Sequence, residues 1–269
     1  MKIKTIILYS LLAFSCSQQP DTISLTGKWQ FSTDSTHWET SIHLPGSMTS
    51  NGLGEDITLN TPWTGGINDS SYFKKDRYAP YREKGNIKIP FWLQPVKYYK
   101  GAAWYRKEVD IPSDWAHQDI TLFLERCHWE TRLWVDRQEV GMQNALGAPH
   151  QYDLSEILTP GRHTLTLRID NRVKEIDPGE NSHSISDHTQ GNWNGVVGKM
   201  FLQMRPPVNI AHTDIFPNVA TKTIRIKTQL RNRKKTETPV TLTLKADGKS
   251  IQKEIMLQPG IHETETLLP

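Results

Sequence analysis

The chain has 269 residues, enough for one large or two ordinary domains, each with a core of useful size. Its net charge of +3 and 23% charged residues, with the basic residues dispersed, argue against a nucleic-acid-binding protein, which would concentrate Lys and Arg on one broad patch. No stretch after the N-terminal segment is long and apolar enough for a transmembrane helix.

The N-terminus reads as an address. Lys2 and Lys4 precede an apolar run from Ile6 to Phe14, too short to span a bilayer but right for a secretion signal. It ends at Ser15-Cys16, the pattern of a bacterial lipoprotein cleavage site with Cys16 as the lipidated residue, although Phe14 is bulky for its position. An ordinary secretory signal with a coincidental Cys is the other reading. The expectation is export to the periplasm or cell envelope, with lipid anchoring at the outer membrane. Lipidation of Cys16, or its removal with the leader, leaves Cys127 as the one free thiol of the mature chain, which excludes an intrachain disulfide and leaves it a small core residue.

Residues 17–24 form a polar tether. Leu25, Gly27, Trp29 and Phe31 alternate as one face of a strand, and Ser41–Leu44 is a second strand closed by Pro45-Gly46-Ser47. Residues 46–100 lack periodicity but carry Trp63, Tyr72, Phe73, Tyr78, Tyr81, Phe91, Trp92, Tyr98 and Tyr99 among polar residues. Such an aromatic segment either lines a carbohydrate cleft or packs as a loop mini-core. From Gly101 the pattern is regular β: Ala103–Val109, then Ile120, Leu122 and Leu124, then Leu133-Trp134-Val135, and later Leu165, Leu167 and Ile169. Asp136–Glu139 reads as a turn, and Tyr152–Leu158 as one helical turn stopped by Pro160-Gly161.

The stretch Asp187–Met200 combines an indole, amides, a His and several glycines. Gly191, Asn194, Gly195 and Gly198 predict a tightly turned loop running into a strand over Lys199–Met204. Amides and an indole can form one wall of a sugar site; equally, Trp193 can be a core plug and the amides turn partners. After Arg205-Pro206-Pro207 the texture changes, with none of the nine Trp beyond Trp193. Five alternating strands follow, few for an immunoglobulin-type sandwich of about seven. The run Arg231–Lys235 reads as a solvated hairpin tip.

Set in order, these pieces resemble the N-terminal portion of glycoside hydrolase family 2, the β-galactosidases, β-glucuronidases and β-mannosidases. The resemblance rests on Gly101–Lys107; Leu122–Arg126 with Leu133–Asp136 and Val140-Gly141; Tyr152-Asp153-Leu154; Leu165–Asn171; and Gly191–Gly198. It implies an all-β chain: a jelly-roll sugar-binding sandwich over residues 25–205, then an immunoglobulin-like sandwich, incomplete, over 206–269, after a leader at 1–16 and the tether at 17–24. The family's catalytic barrel would follow, holding two carboxylic acids with the acid/base in an Asn-Glu pair. This chain has no Asn-Glu dipeptide, and its last 62 residues are too few for a barrel of roughly 250.

The resemblance therefore implies no catalytic residue in this chain and no cofactor. Sugar contacts would fall on Asp187, His188, Gln190 and Asn192, with Trp193 beside them. His183 and His188 lack a convincing third ligand, so no metal is expected. Glu175, Asp177 and Glu180 read as a solvated acidic loop. The expected partners are β-glycosides, a membrane through a lipid on Cys16, and the catalytic barrel, without nucleic acid. Two functional readings stand beside each other: the N-terminal part of an exported β-glycosidase, and a stand-alone carbohydrate-binding lipoprotein without activity. A remnant with open sheet edges is a third.

Overall fold

The computed structural model describes residues 21–61, 74–88, 96–172, 192–246 and 248–268. Cys16, Trp63, Tyr72, Phe73, Phe91, Trp92, Glu175, Asp177, Glu180, His183, Asp187, His188 and Gln190, with the readings placed on them, lie outside these residues.

The chain is all-β, and two antiparallel sheets face each other across the main core. One contains β1 (Thr22–Ser24), β4 (Gly46–Ser47), β6 (Asp119–Cys127), β9 (His150–Asp153) and β11 (Gly195–Arg205), in the order β1-β11-β6-β9 with β4 also on β11. The other contains β2 (Gly27–Ser32), β3 (Thr40–Leu44), β5 (Ala102–Ile111), β7 (Glu130–Val135), β8 (Gln138–Asn144) and β10 (Gly161–Asp170), in the order β3-β2-β5-β10-β7-β8. Alternation explains the sandwich. In β10, Leu165, Leu167 and Ile169 are buried while Thr164, Thr166 and Arg168 keep partial access to solvent. Ile120, Leu122 and Leu124 do the same from the opposite sheet, with Trp29, Phe31, Tyr105 and Cys127 between them. Each fully buried Leu or Ile contributes about 1.5–3 kcal/mol.

Three local expectations need correction. Tyr152 and Asp153 belong to a strand, β9, paired with Leu122 and Thr121; only a tight turn follows, with Leu158 N–H donating to Leu154 O at 2.8 Å. The β7–β8 turn is two residues, Asp136-Arg137, with Asp136 at φ 54°, a conformation Asp tolerates better than most residues. Gly195 and Gly198 lie inside β11 rather than in a loop; Gly198 sits in a bulge at φ 80°, where a Cβ would come within 2.6 Å of the Glu125 carboxyl carbon.

Past Pro206-Pro207, β12 (Val208–Asn218), β13 (Thr223–Asn232) and β16 (Gly260–Leu268) form a three-stranded sheet. A two-stranded one holds β14 (Thr238–Ala246) and β15 (Lys249–Leu257). Their buried cluster is small: Leu230, Leu242 and Leu257.

The basic run is not a solvated tip. It connects two different sheets, Asn232 is 2% exposed, and its arginines reach back to the first sandwich. Arg231 Nη1 donates to both oxygens of Asp119 at 3.0 and 3.2 Å; Arg233 pairs with Asp119 at 3.3 Å and with Asp153. Asp119, 2% exposed, also accepts from Asn209 Nδ2 at 2.7 Å and Ser155 Oγ at 3.2 Å. The run is basic because it satisfies a buried carboxylate.

Candidate functional site

One end of the sandwich gathers the C-terminal ends of β6 and β10 and the N-terminal ends of β5, β7 and β11. Antiparallel pairing forces the convergence: Val196 is opposite Cys127, and Asp170 opposite both Ala102 and Glu130. Five stretches meet on this rim: Tyr99–Gly101, His128-Trp129, Asp170–Arg172, Asn192–Asn194 and the turn at Met48.

Asn194, 0% exposed, ties the rim together. Its Nδ2 donates to Gly101 O at 3.0 Å and Ile169 O at 2.9 Å; its Oδ1 accepts from the Tyr105 hydroxyl at 2.5 Å; its carbonyl accepts from Met48 N–H at 2.8 Å. One amide thus locks β5, β10 and β11 to one another. Asn171 repeats the device, accepting from Gly101 N–H at 2.7 Å and donating to Tyr99 O at 2.9 Å.

A charged layer lies beneath. Asp170, 0% exposed, holds Arg172 through Nε at 3.0 Å and Nη2 at 2.6 Å, and accepts from Arg168 Nη2 at 2.8 Å. Arg168 also donates to Glu130 at 2.8 Å. The carboxylate bonds raise the Arg172 pKa and fix its guanidinium at the surface.

Of the expected sugar-contacting residues, the structure brings Asn192 and Trp193 to this rim. Asn192 Nδ2 donates to Asn171 O at 3.2 Å, while its Oδ1 is buried with no hydrogen-bond partner. Trp193 is half-buried and not a core plug; its ring lies 5.1 Å from the His128 ring at 41°. That plugging role belongs to Asn194. His128 stacks in turn near Trp129, whose indole donates to Arg172 O at 3.0 Å. Burial pushes His128 down to about 4, so it is neutral at pH 7, and its Nδ1 also lacks a partner. His128, Trp129 and Arg172 were missed in the sequence because each sits at the end of an ordinary strand pattern. Nothing in one sequence says which strand ends coincide. Among the described residues no group of His, Cys, Asp and Glu could hold a metal.

The described residues of the rim are suited to recognition. Its half-buried indole and fixed guanidinium face solvent, Asn192 Oδ1 and the Nδ1 of the neutral His128 imidazole lie buried behind them, and among the described residues Asp170 and Glu130 are buried and spent on arginines.

The model of the family "Glycosyl hydrolases family 2, sugar binding domain" matches residues 22–206. A β-galactosidase of Arthrobacter sp. (strain B7) is 27% identical over 89 residues, covering 31% of this chain and 9% of that protein. A calcium-binding mutant of Bacteroides uniformis β-glucuronidase 2 superposes with a TM-score of 0.64 at 17% identity, covering 92% of this chain and 28% of its own. A β-galacturonidase from Eisenbergiella tayi gives 0.57 at 17% identity, covering 92% and 36%. At these identities the structural likeness shows the fold, and the chain spans about a third or less of either solved relative.

Proposed function

Because the chain belongs to glycosyl hydrolase family 2 through its sugar-binding domain, we propose that the rim supplies non-catalytic sugar contacts for hydrolysis of β-glycosides by a barrel beyond this chain. The observation that carries this reading is the half-buried Trp193 indole, 5.1 Å from the His128 ring, on a rim where Asp170 orders the exposed Arg172 guanidinium. A sugar offers hydroxyls to the guanidinium and a C–H face to the ring. Asp187, His188 and Gln190, close to Asn192 in sequence, complete the proposed contact set. The relatives named as β-galactosidase, β-glucuronidase and β-galacturonidase support a hexose or hexuronic acid in β-linkage as the substrate class.

The division into a sugar-binding sandwich over 25–205 and an immunoglobulin-like unit over 206–269 is part of this reading, supported by the separate sheets on either side of Pro206-Pro207. So are the leader at 1–16, lipidation of Cys16 and an envelope location, supported by Ile6–Phe14 and Ser15-Cys16. Replacement of Cys16 by Ser is expected to move the protein from the membrane to the soluble fraction.

Half a site binds weakly, so the test is ligand-observed NMR with methyl β-galactoside, β-glucuronide and β-galacturonide. Saturation transfer to at least one, reduced by Asn192→Ala, is the expected result; silence on all three sinks the reading. The chain alone is expected not to cleave p-nitrophenyl β-glycosides.

A further inference from the structure

The outer face of the six-stranded sheet carries a second set of groups that the rim does not use. Register places Gln30, Arg106, Thr166 and Trp134 in one row across four strands. The next row away from the rim pairs Glu108 with Thr164, whose N–H donates to Asp136 Oδ1 at 2.8 Å, and Lys28 of β2 lines the same trough. The next row toward the rim pairs Trp104 with Arg168 and Arg168 with Arg132. An open trough of about 900 Å³ runs over the first two rows, its floor formed by β2, β5 and β10 and one end by Arg137.

The charges there are unevenly matched. Asp136 is engaged by His163 Nδ1 at 2.9 Å, and Glu108 faces Arg162 at 3.8 Å. Among the described residues, no carboxylate lies within ion-pair distance of Lys28, Arg106 or Arg137. Arg106 is instead covered by the Trp38 ring at 3.7 Å from its centroid, a contact that orders the guanidinium without neutralising it. Trp104 and Trp134, on the same face, retain partial exposure.

We propose that this trough is a second carbohydrate-binding surface, independent of the rim, that takes an anionic glycan whose rings carry carboxylate or sulfate groups. Three features select that ligand. Trough volume falls in the range of about 300–1,000 Å³ that holds a small organic ligand, here a few sugar rings. Gln30, Thr164 and Thr166 line the trough and suit glycan hydroxyls, with Trp134 next to Thr166 in register. The unpaired cations share the trough with Glu108 and Asp136, which suits separated anionic groups better than a densely charged nucleic-acid backbone. Arg106 lies five residues along β5 from the rim's Gly101, about 17 Å at 3.4 Å per residue, so occupancy of the two sites can be read apart.

Calorimetric titration of the full chain tests this with an oligogalacturonate, its neutral methyl ester, a sulfated dextran oligosaccharide and plain dextran. Saturable binding of at least one anionic glycan, at least tenfold tighter than its neutral counterpart, is expected; which one binds assigns carboxylate or sulfate. Arg106→Gln with Arg137→Gln should weaken it at least tenfold, and Asn192→Ala should leave it unchanged. Arg137→Gln alone, in an exposed turn, keeps the test valid if the double variant fails to fold. The proposal is overturned by equal binding of charged and neutral partners, by indifference to the trough substitutions, by loss through Asn192→Ala, or by equal affinity for inorganic polyphosphate. Because the rim is assayed with small β-glycosides, failure of one site leaves the other standing.

Discussion

The Tyr105 hydroxyl donates to Asn194 Oδ1 at 2.5 Å inside the sandwich, joining β5 to the start of β11 across 89 positions of sequence. Burial pushes the Tyr105 pKa well above its ordinary value, so the hydroxyl stays a donor. Asn194→Ala strands that hydroxyl and two backbone carbonyls, and is expected to cost about 3–5 kcal/mol. Tyr105→Phe strands only the amide oxygen, costing about 1–3 kcal/mol. Urea denaturation of both variants checks this; a loss below about 1 kcal/mol for Asn194→Ala would show that the amide is not the tie.

Gly198 gives a sharper test. Its φ of 80° is unfavourable for Ala, and a Cβ would meet the Glu125 carboxylate, which accepts Lys199 N–H at 2.8 Å. Gly198→Ala should cost about 1–3 kcal/mol from strain and crowding. Shortening Glu125 to Ala in the same chain should recover the crowding part, visible as coupling in a double-mutant cycle. Strict additivity would argue against the contact.

At the junction, Asp119 is buried and depends on Arg231, Arg233, Asn209 and Ser155. Arg231→Ala together with Arg233→Ala leaves its charge uncompensated, an expected loss of about 3–5 kcal/mol. The strands beyond Pro207 have a small core, so they should release first. Limited proteolysis near residues 206–207 should then yield the N-terminal sandwich as a resistant fragment. An unchanged digestion pattern contradicts the clasp.

Acid should weaken the fold in a defined window. Burial lowers the pKa of both His128 and His150, the former to about 4 from 6.5. Between those values the unfolded chain binds more protons than the folded one, so stability is full above pH 6.5 and declines as pH falls toward 4. His128 accounts for roughly 3 kcal/mol of that decline at 1.36 kcal/mol per pKa unit. At lower pH Asp153 adds to it: burial raises its pKa, but the bonds from Ser155 and Arg233 outweigh this and leave it below 3.8. Denaturation midpoints across pH 4–7 should slope less in His128→Asn; an unchanged slope would remove His128 from the account.

Much of the sandwich was legible because its strands are half-buried and their side chains alternate: Leu165, Leu167 and Ile169 announce an inward face without knowledge of the partner strand. Short or contact-dependent features were not. The four-residue β9 has too few positions to show a period, so the turn after it coloured the whole stretch as helix. Asn194 looked like a turn residue because Asn usually is one; its role exists only once Tyr105, Gly101 and Ile169 surround it. The arginines after β13 looked solvated because their partner, Asp119, lies 112 positions away. For the rim, composition pointed to Asn192 and Trp193, while His128 and Arg172 required knowing which strands end together.

The strand β6 has consequences at both of its ends. Asp119 opens it at the junction, and Cys127 closes it beside His128 at the rim. Nine residues at about 3.4 Å each make a stiff strut of roughly 30 Å, hydrogen-bonded along one side to β11. On such a strut a one-degree change of seat at Asp119 displaces the far end by about 0.5 Å, enough to matter to a hydrogen bond. The five strands beyond Pro207 would then act as a footing: by gripping Asp119, they aim Trp193 and Asn192 at whatever lies opposite the rim.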